Sequence, residues 1–284
     1  MRTPRGFGVR TATHFKGVVG ATLVAAVLVL ALVAPWVSSN PEASDLALRL
    51  RPPVWTGKGV PGRVLGTDQL GRDLWSRIAY GGRVSLLVSV CTVLLAGSVG
   101  IALGLVAGYY GGAWDRVIGG LVDIQMAFPF LLLAVAIVSA MGPGIRNVIL
   151  VLALYGWVVY CRLVRGQMLA LREKEFVLAA RAIGCRDGRI LWHHLLPSVI
   201  PAVLVISTFQ VGQMIIAESA LSFLGLGVQP PTPTWGGIVN EGRAYVSSAW
   251  WVTTFPGFML MLTVIGVGFV GDWLREVFDP RLRD

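Results

Sequence analysis

Residues 172–201 read REKEFVLAARAIGCRDGRILWHHLLPSVIP. Seven of the 24 Lys and Arg residues fall between Arg162 and Arg189, in a chain that is only 14% charged. Glu175 to Ile183 has a helix-forming composition. Phe176, Ala179, Ala180 and Ile183 recur at spacings of three and four, which gives one apolar or small face. Gly184 stands where a helix ends in the left-handed conformation. Asp187 is placed to N-cap a second helix over 188–196, and Pro197 to open a third. The stretch is expected to fold as helix, tight turn and helix, a polar surface held between apolar runs. Small Ala179 and Ala180 leave room for another protein to come close. An ordinary amphipathic connector is the plainer alternative.

The runs on either side are those of a membrane protein. The chain is 55% hydrophobic, with a mean hydropathy of +0.71, and soluble domains carry about 25% charged residues. Residues 17–41 hold no charge, enough for a first crossing, which takes about 20 residues. The basic start at 1–16 and the length of this run favour an uncleaved span over a signal peptide. Residues 42–83 are polar and turn-rich and are expected to form an ordered external loop. Within it, Asp68, Arg72, Asp73 and Arg77 permit ion pairs four apart on a helix lying at the membrane surface. Further spans are expected over about 84–114, 117–140, 148–161 and 197–217, and in the second half of 244–271. Gly- and Pro-rich residues 221–237 argue against a continuous helix. The fold class is all-α and polytopic, with six transmembrane helices. It divides into an N-terminal tail, first helix and loop over 1–83, and a five-helix core over 84–284 with the charged loop at 162–197.

Six crossings put both termini on one side. With the N-terminus inside, Lys and Arg number 15 inside and 9 outside, which favours cytoplasmic termini while the basic first loop blunts the rule. The net charge of +9 is accounted for in this way without nucleic acid. Cys91, Cys161 and Cys185 are too scattered for a zinc site or disulfide framework and are expected to be packing residues. Gly100, Gly104 and Gly108, with Gly112 continuing the spacing, line one helix face that another backbone can approach. Gly266, Gly268 and Gly271 form a G-x-G-x-x-G inside an apolar run, where helix packing is the expected use.

Catalytic and metal-binding residues are expected to be absent. There is no H-E-x-x-H and no G-x-S-x-G. No Lys precedes Ser or Thr after a glycine loop, so the chain cannot hold ATP in the P-loop manner. A pump built on it must draw energy from another subunit or from an ion gradient. Asp123 and Glu218 are the ionisable residues at membrane depth. Gln210 and Gln213 share a span with Glu218. These four are the candidates for lining a translocation path, with an interhelical hydrogen-bond face as the alternative.

Several stretches together carry a resemblance. Ala179, Ala180, Gly184, Leu196 and Pro197 match the Glu-Ala-Ala loop of ABC importer permeases. LGTDQLGRDLWSRIAYGGRVSL (65–86), Phe128-Pro129, LSFLGLGVQPPTPTWG (221–236) and GDWLREVFDPRLR (271–283) resemble segments of the dipeptide/oligopeptide/nickel permease family, in order along the chain. The resemblance implies a type I importer fold. It implies a second permease subunit, two ATPase subunits holding ATP and Mg, and an extracytoplasmic substrate-binding protein. The setting is a bacterial inner membrane and its lipid, and the substrates are peptides, with nickel or another small solute as alternatives. A stand-alone gradient-driven carrier is the reading from another class. The loop becomes the coupling helix region, with Glu175, Ala179, Ala180, Arg181, Gly184, Asp187 and Pro197 as its candidate residues. Leu178 stands where the motif has Glu, so that contact does not carry over; Glu175 or Arg181 is the candidate substitute.

Overall fold

The computed structural model describes residues 6–278. The helix stop expected at Asp279-Pro280 and the charges of residues 2 and 5 lie outside it. The helices are α1 (Gly6–Val37), α2 (Leu74–Tyr110), α3 (Gly112–Ala127), α4 (Phe130–Met141), α5 (Ile145–Leu171), α6 (Glu175–Ala182), α7 (Asp187–Arg189), α8 (Leu196–Phe223), α9 (Trp235–Gly242) and α10 (Trp251–Phe278). A π-helical segment, Ile190–Leu195, joins α7 to α8. No strand occurs among the described residues. α1, α2, α5, the run from α7 through α8, and α10 are each long and apolar enough to cross a membrane.

The sixth crossing is broken. α3 and α4 meet at a 92° bend. Pro129 lacks an N–H to continue α3, and Phe128 before it is extended, with φ −93° and ψ 125°. Helix directions show that this pair returns the chain across the membrane. A Cβ on Gly100 would lie 2.3 Å from the Trp157 carbonyl oxygen, one on Gly104 2.7 Å from that of Cys161, and one on Gly108 2.4 Å from Cβ of Met168. Contacts that advance together in both helices mean that α2 and α5 run parallel. The chain between them therefore has to come back. Glycine at these positions lets the two backbones touch. Gly112 does not extend the stripe; it opens α3 with φ +56° and has nothing near its Cβ position.

α2 begins ten residues before the expected span, and the helix expected at the membrane surface is its first turns. Asp73 caps it, accepting from the Ser76 N–H at 3.0 Å. The division expected at 83/84 thus falls inside α2. The charges at this end are buried rather than laid on a surface. α5 likewise runs ten residues beyond Cys161, and α8 six beyond Ala217. α1 lies antiparallel on α10: a Cβ on Gly20 would come 2.8 Å from the Gly266 carbonyl oxygen, and one on Gly271 2.6 Å from Thr208 Oγ1 of α8. Gly266 and Gly271 of the G-x-G-x-x-G are packing positions, whereas Gly268 has nothing within 4 Å of its Cβ position. The start of α1, the ends of α2, α5 and α10, and the loop 172–195 all lie at one end of the bundle.

At the other end, residues 38–73 fold back over the helices as an ordered loop. Thr67 exchanges hydrogen bonds with the Arg51 backbone at 2.8 and 2.9 Å. Trp251 donates to the Thr67 carbonyl at 3.1 Å. Beneath it, Asp68 accepts from Arg72 and Arg77, both at 2.6 Å. Arg77 also reaches Glu241 of α9 at 2.8 and 2.9 Å. Burial pushes the Glu241 carboxyl upward, but Arg77 and Arg72 outweigh it and hold its pKa below the ordinary value.

Candidate functional site

The charged loop forms its two helices around one turn. α6 ends at Ala182 with Ile183 as its cap. Gly184 comes next with φ +81°, in the left-handed region. The Gly184 N–H donates to the Arg181 carbonyl at 2.9 Å and the Cys185 N–H to that of Ala180 at 3.0 Å. This paired pattern is a Schellman motif, and Gly is the residue that enters it without Cβ strain. Asp187 is not the cap of the second helix. It is the first residue of α7, and its carboxylate accepts from the Tyr109 hydroxyl at 2.6 Å. Arg181 lies over the Tyr109 ring, 5.0 Å from its centroid. Tyr109 was not among the residues singled out from sequence; the Tyr109-Tyr110 pair at the end of an apolar run carries no signal of a partner 78 positions on.

The apolar face of α6 is rotated from the expected one. Val177 and Ala180 pack inward, at 0% and 7% exposure. Phe176, Leu178, Ala179 and Ile183 face out, as does Trp192. Ala180 is therefore not available to another protein, since the helix must seat one side on its own chain. Ile183 at 80% and Trp192 at 67% exposure make this an apolar surface on an otherwise charged loop. Glu175, Arg181, Gly184 and Pro197 are exposed.

The four candidate path residues do not share one surface. Gln210 is buried toward Gly156 of α5, whereas Gln213 is exposed. At about 100° per residue, Gln213 lies roughly 60° to one side of Gln210 and Glu218 about 80° to the other. Asp123 is exposed on α3, apart from all three. Glu218 is fully buried where α2, α8 and α9 meet. It accepts from Ser222 at 2.7 Å and from Ser85 of α2 at 3.0 Å. The Trp235 N–H donates to the same Ser85 hydroxyl at 3.4 Å. No ion pair to Glu218 occurs among the described residues. Such a group joins helices rather than lining an open route.

Two open clefts lie at the broken span. One cleft of about 600 Å³ is bounded by Leu95 and Val99 of α2, Leu121 and Gln125 of α3, and Leu150 and Trp157 of α5. A second, of about 480 Å³, is lined by Gln125, Pro129, Phe130, Tyr155 and Arg162. Gln125 and Phe128 line both. Gln125 donates to the Leu154 carbonyl and accepts from the Trp157 ring N–H at 2.8 Å. It thereby pins the end of α3 to α5 just before the bend. An amide in an apolar span signals an interhelical bond, but its partners on α5 are visible only in the fold.

The profile of the family described as "binding-protein-dependent transport system inner membrane component" matches residues 100–284. The chain belongs to this family. Its relatives include the dipeptide transport system permease protein DppC of Alkalihalophilus pseudofirmus, 40% identical over 270 residues, with 94% of this chain and 86% of the relative covered. The di/tripeptide transport system permease protein DppC of Pseudomonas aeruginosa is 39% identical, with 95% and 90% covered. The glutathione transport system permease protein GsiD of Escherichia coli is 44% identical over 218 residues, with 77% and 72% covered. A chain of the MetNI methionine ABC transporter, in an inward-facing conformation, shares the fold, with a TM-score of 0.58 at 20% identity over 72% of this chain and 97% of that one. This permease is thus a multi-pass membrane subunit of a transport complex, and the expected type of fold is the one observed.

Proposed function

We propose that this permease is one membrane subunit of an ATP-driven importer for di- or oligopeptides. The observation that carries the substrate class is its match, over nearly its whole length, to relatives named for dipeptide and di/tripeptide transport. Beside it stands a second permease, a sister chain. Two ATPase subunits hold ATP and Mg, which accords with a chain that has no P-loop. An extracytoplasmic binding protein delivers the peptide to the end covered by residues 38–73. The 172–195 end and both termini are cytoplasmic, in line with the excess of Lys and Arg there.

In this reading Phe176, Leu178, Ile183 and Trp192 offer the apolar surface that seats on an ATPase subunit. Glu175 or Arg181 supplies a polar contact in place of the motif's carboxylate. Movement of the ATPases on ATP binding displaces the loop, and the helices anchored to it turn the permease pair. The displacement can be no larger than the difference in binding energy between the two states allows.

The test is reconstitution with the subunits encoded beside it, and then uptake of labelled dialanine. Uptake that needs ATP, the ATPases and the binding protein supports the proposal. Uptake by this chain alone, driven by an ion gradient, would replace it with a carrier. A nickel chelate found as the binding protein's ligand would replace the substrate class.

A further inference from the structure

Arg162 lies well inside α5, with 17 residues before it from Ile145 and nine after it to Leu171. At about 1.5 Å per residue it stands roughly 25 Å from one end of the helix and 14 Å from the other. Its neighbour Arg165 is neutralised by Asp115 of α3. Arg162 has no carboxylate within ion-pair distance among the described residues. Its partner is the sulfur of Met126 at 3.2 Å, a weak acceptor that leaves the charge unanswered. The side chain is exposed and opens on the 480 Å³ cleft beneath the α3–α4 bend.

A guanidinium inside a helix long and apolar enough to cross a membrane does not face hydrocarbon; it faces water or an anion. Broken helices are where transporters place substrate near the middle of the membrane. Of the cleft's other polar side chains, Gln125 is already engaged with α5 and Tyr155 is uncharged. The rings of Phe130 and Tyr155, with centroids 4.6 Å apart, form an aromatic wall beside the charge. Charge and wall together fit a small solute with one carboxylate and an apolar body.

We propose that Arg162 is a substrate-contacting residue of the translocation path and meets the carboxylate of the peptide in transit. The guanidinium fork matches a carboxylate with two parallel hydrogen bonds, and an ammonium keeps the charge without the fork. This rests on the importer reading above, and it adds a site that the sequence did not suggest.

The experiment uses the whole complex in proteoliposomes, with native chain, Arg162→Gln and Arg162→Lys, and labelled dialanine as the probe. The yield of second permease in the purified complex is recorded for each. Arg162→Gln is expected to lower uptake by about tenfold, with an undiminished yield of the second permease, and Arg162→Lys to recover a large part of the loss. Native uptake with an unimpaired Arg162→Gln complex would overturn the proposal alone. Loss of the second permease from that variant would assign Arg162 to an acid on the sister chain and overturn it as well. A native complex that moves no dialanine would refute the peptide reading, and the proposed occupant with it.

Discussion

The hydroxyl of Tyr109, one residue from the end of α2, donates a 2.6 Å hydrogen bond to the carboxylate of Asp187, the first residue of α7. Arg181, on the other side of the Gly184 turn, covers the same ring. The loop between α5 and α8 is therefore gripped by a third helix. α2 also carries Ser85, which bonds Glu218 near its opposite end. A displacement of the loop has a stiff route along α2 to the far side of the molecule.

Tyr109→Phe keeps the ring beneath Arg181 and removes only the bond to Asp187. A hydrogen bond to a charged group contributes about 1.5–3 kcal/mol. The complex is expected to assemble, while peptide moved per ATP hydrolysed falls several-fold. A native ratio in the reconstituted complex would show that α2 takes no part in coupling.

Gly184 has nothing within 4 Å of its Cβ position, and its φ is +81°. Any effect of a side chain there is a backbone effect. Gly184→Val is expected to strain the turn by at least about 1–2 kcal/mol and to weaken co-purification of the ATPase or uncouple it. Gly184→Asn, which tolerates the left-handed region, is expected to keep most of the uptake. Equal behaviour of the two variants would refute this account.

Gly104 meets the opposite constraint, since a Cβ would strike the backbone oxygen of Cys161 at 2.7 Å and the side chain of Val164 at 2.8 Å. Gly104→Val is expected to force α2 from α5 and destabilise the chain by about 1–3 kcal/mol or more. Gly119→Ala on α3, where no atom lies within 4 Å, is the matched control and is expected to be tolerated. Thermal unfolding of the purified chain in detergent separates them.

Glu241 is held below the ordinary carboxylate pKa. Its ion pairs therefore add stability that is fully present above the unfolded value of about 4.3 and is lost as pH falls through the lower folded value. Glu241→Gln is expected to cost about 2 kcal/mol at pH 7 and to flatten the loss of stability below about pH 4.3. Unfolding measured between about pH 7 and pH 3 checks both; parallel curves for the native chain and the variant would contradict the assignment.

Glu218→Gln keeps an acceptor for one of Ser85 and Ser222 and offers its amide N–H to the other, and is expected to fold. Glu218→Leu leaves both hydroxyls buried without either, at about 1–3 kcal/mol each, and is expected to lower the yield of assembled chain. Equal yields would remove Glu218 from the joint between α2, α8 and α9.

The crossings, the loop and its turn were already legible in the amino-acid order. Charge-free runs leave no alternative to spanning helices in lipid, and glycine at 184 marks a left-handed residue through local backbone sterics alone. Gly100, Gly104 and Gly108 announced a close helix contact for the same reason. Partnership was legible only in the folded chain. α6 turns Ala180 inward and leaves its cap, Ile183, outward because its rotation is set by packing on the Ile190–Leu195 segment, which no spacing within α6 encodes. Gln210, Gln213 and Glu218 looked like one stripe and part company because helix geometry spreads them over three neighbours. Tyr109, Gln125 and Arg162 acquire their meaning from residues tens of positions away, or from the lack of an acid nearby. Arg162 lies just past the expected span of 148–161, but α5 runs nine residues further and leaves its charge facing a cleft.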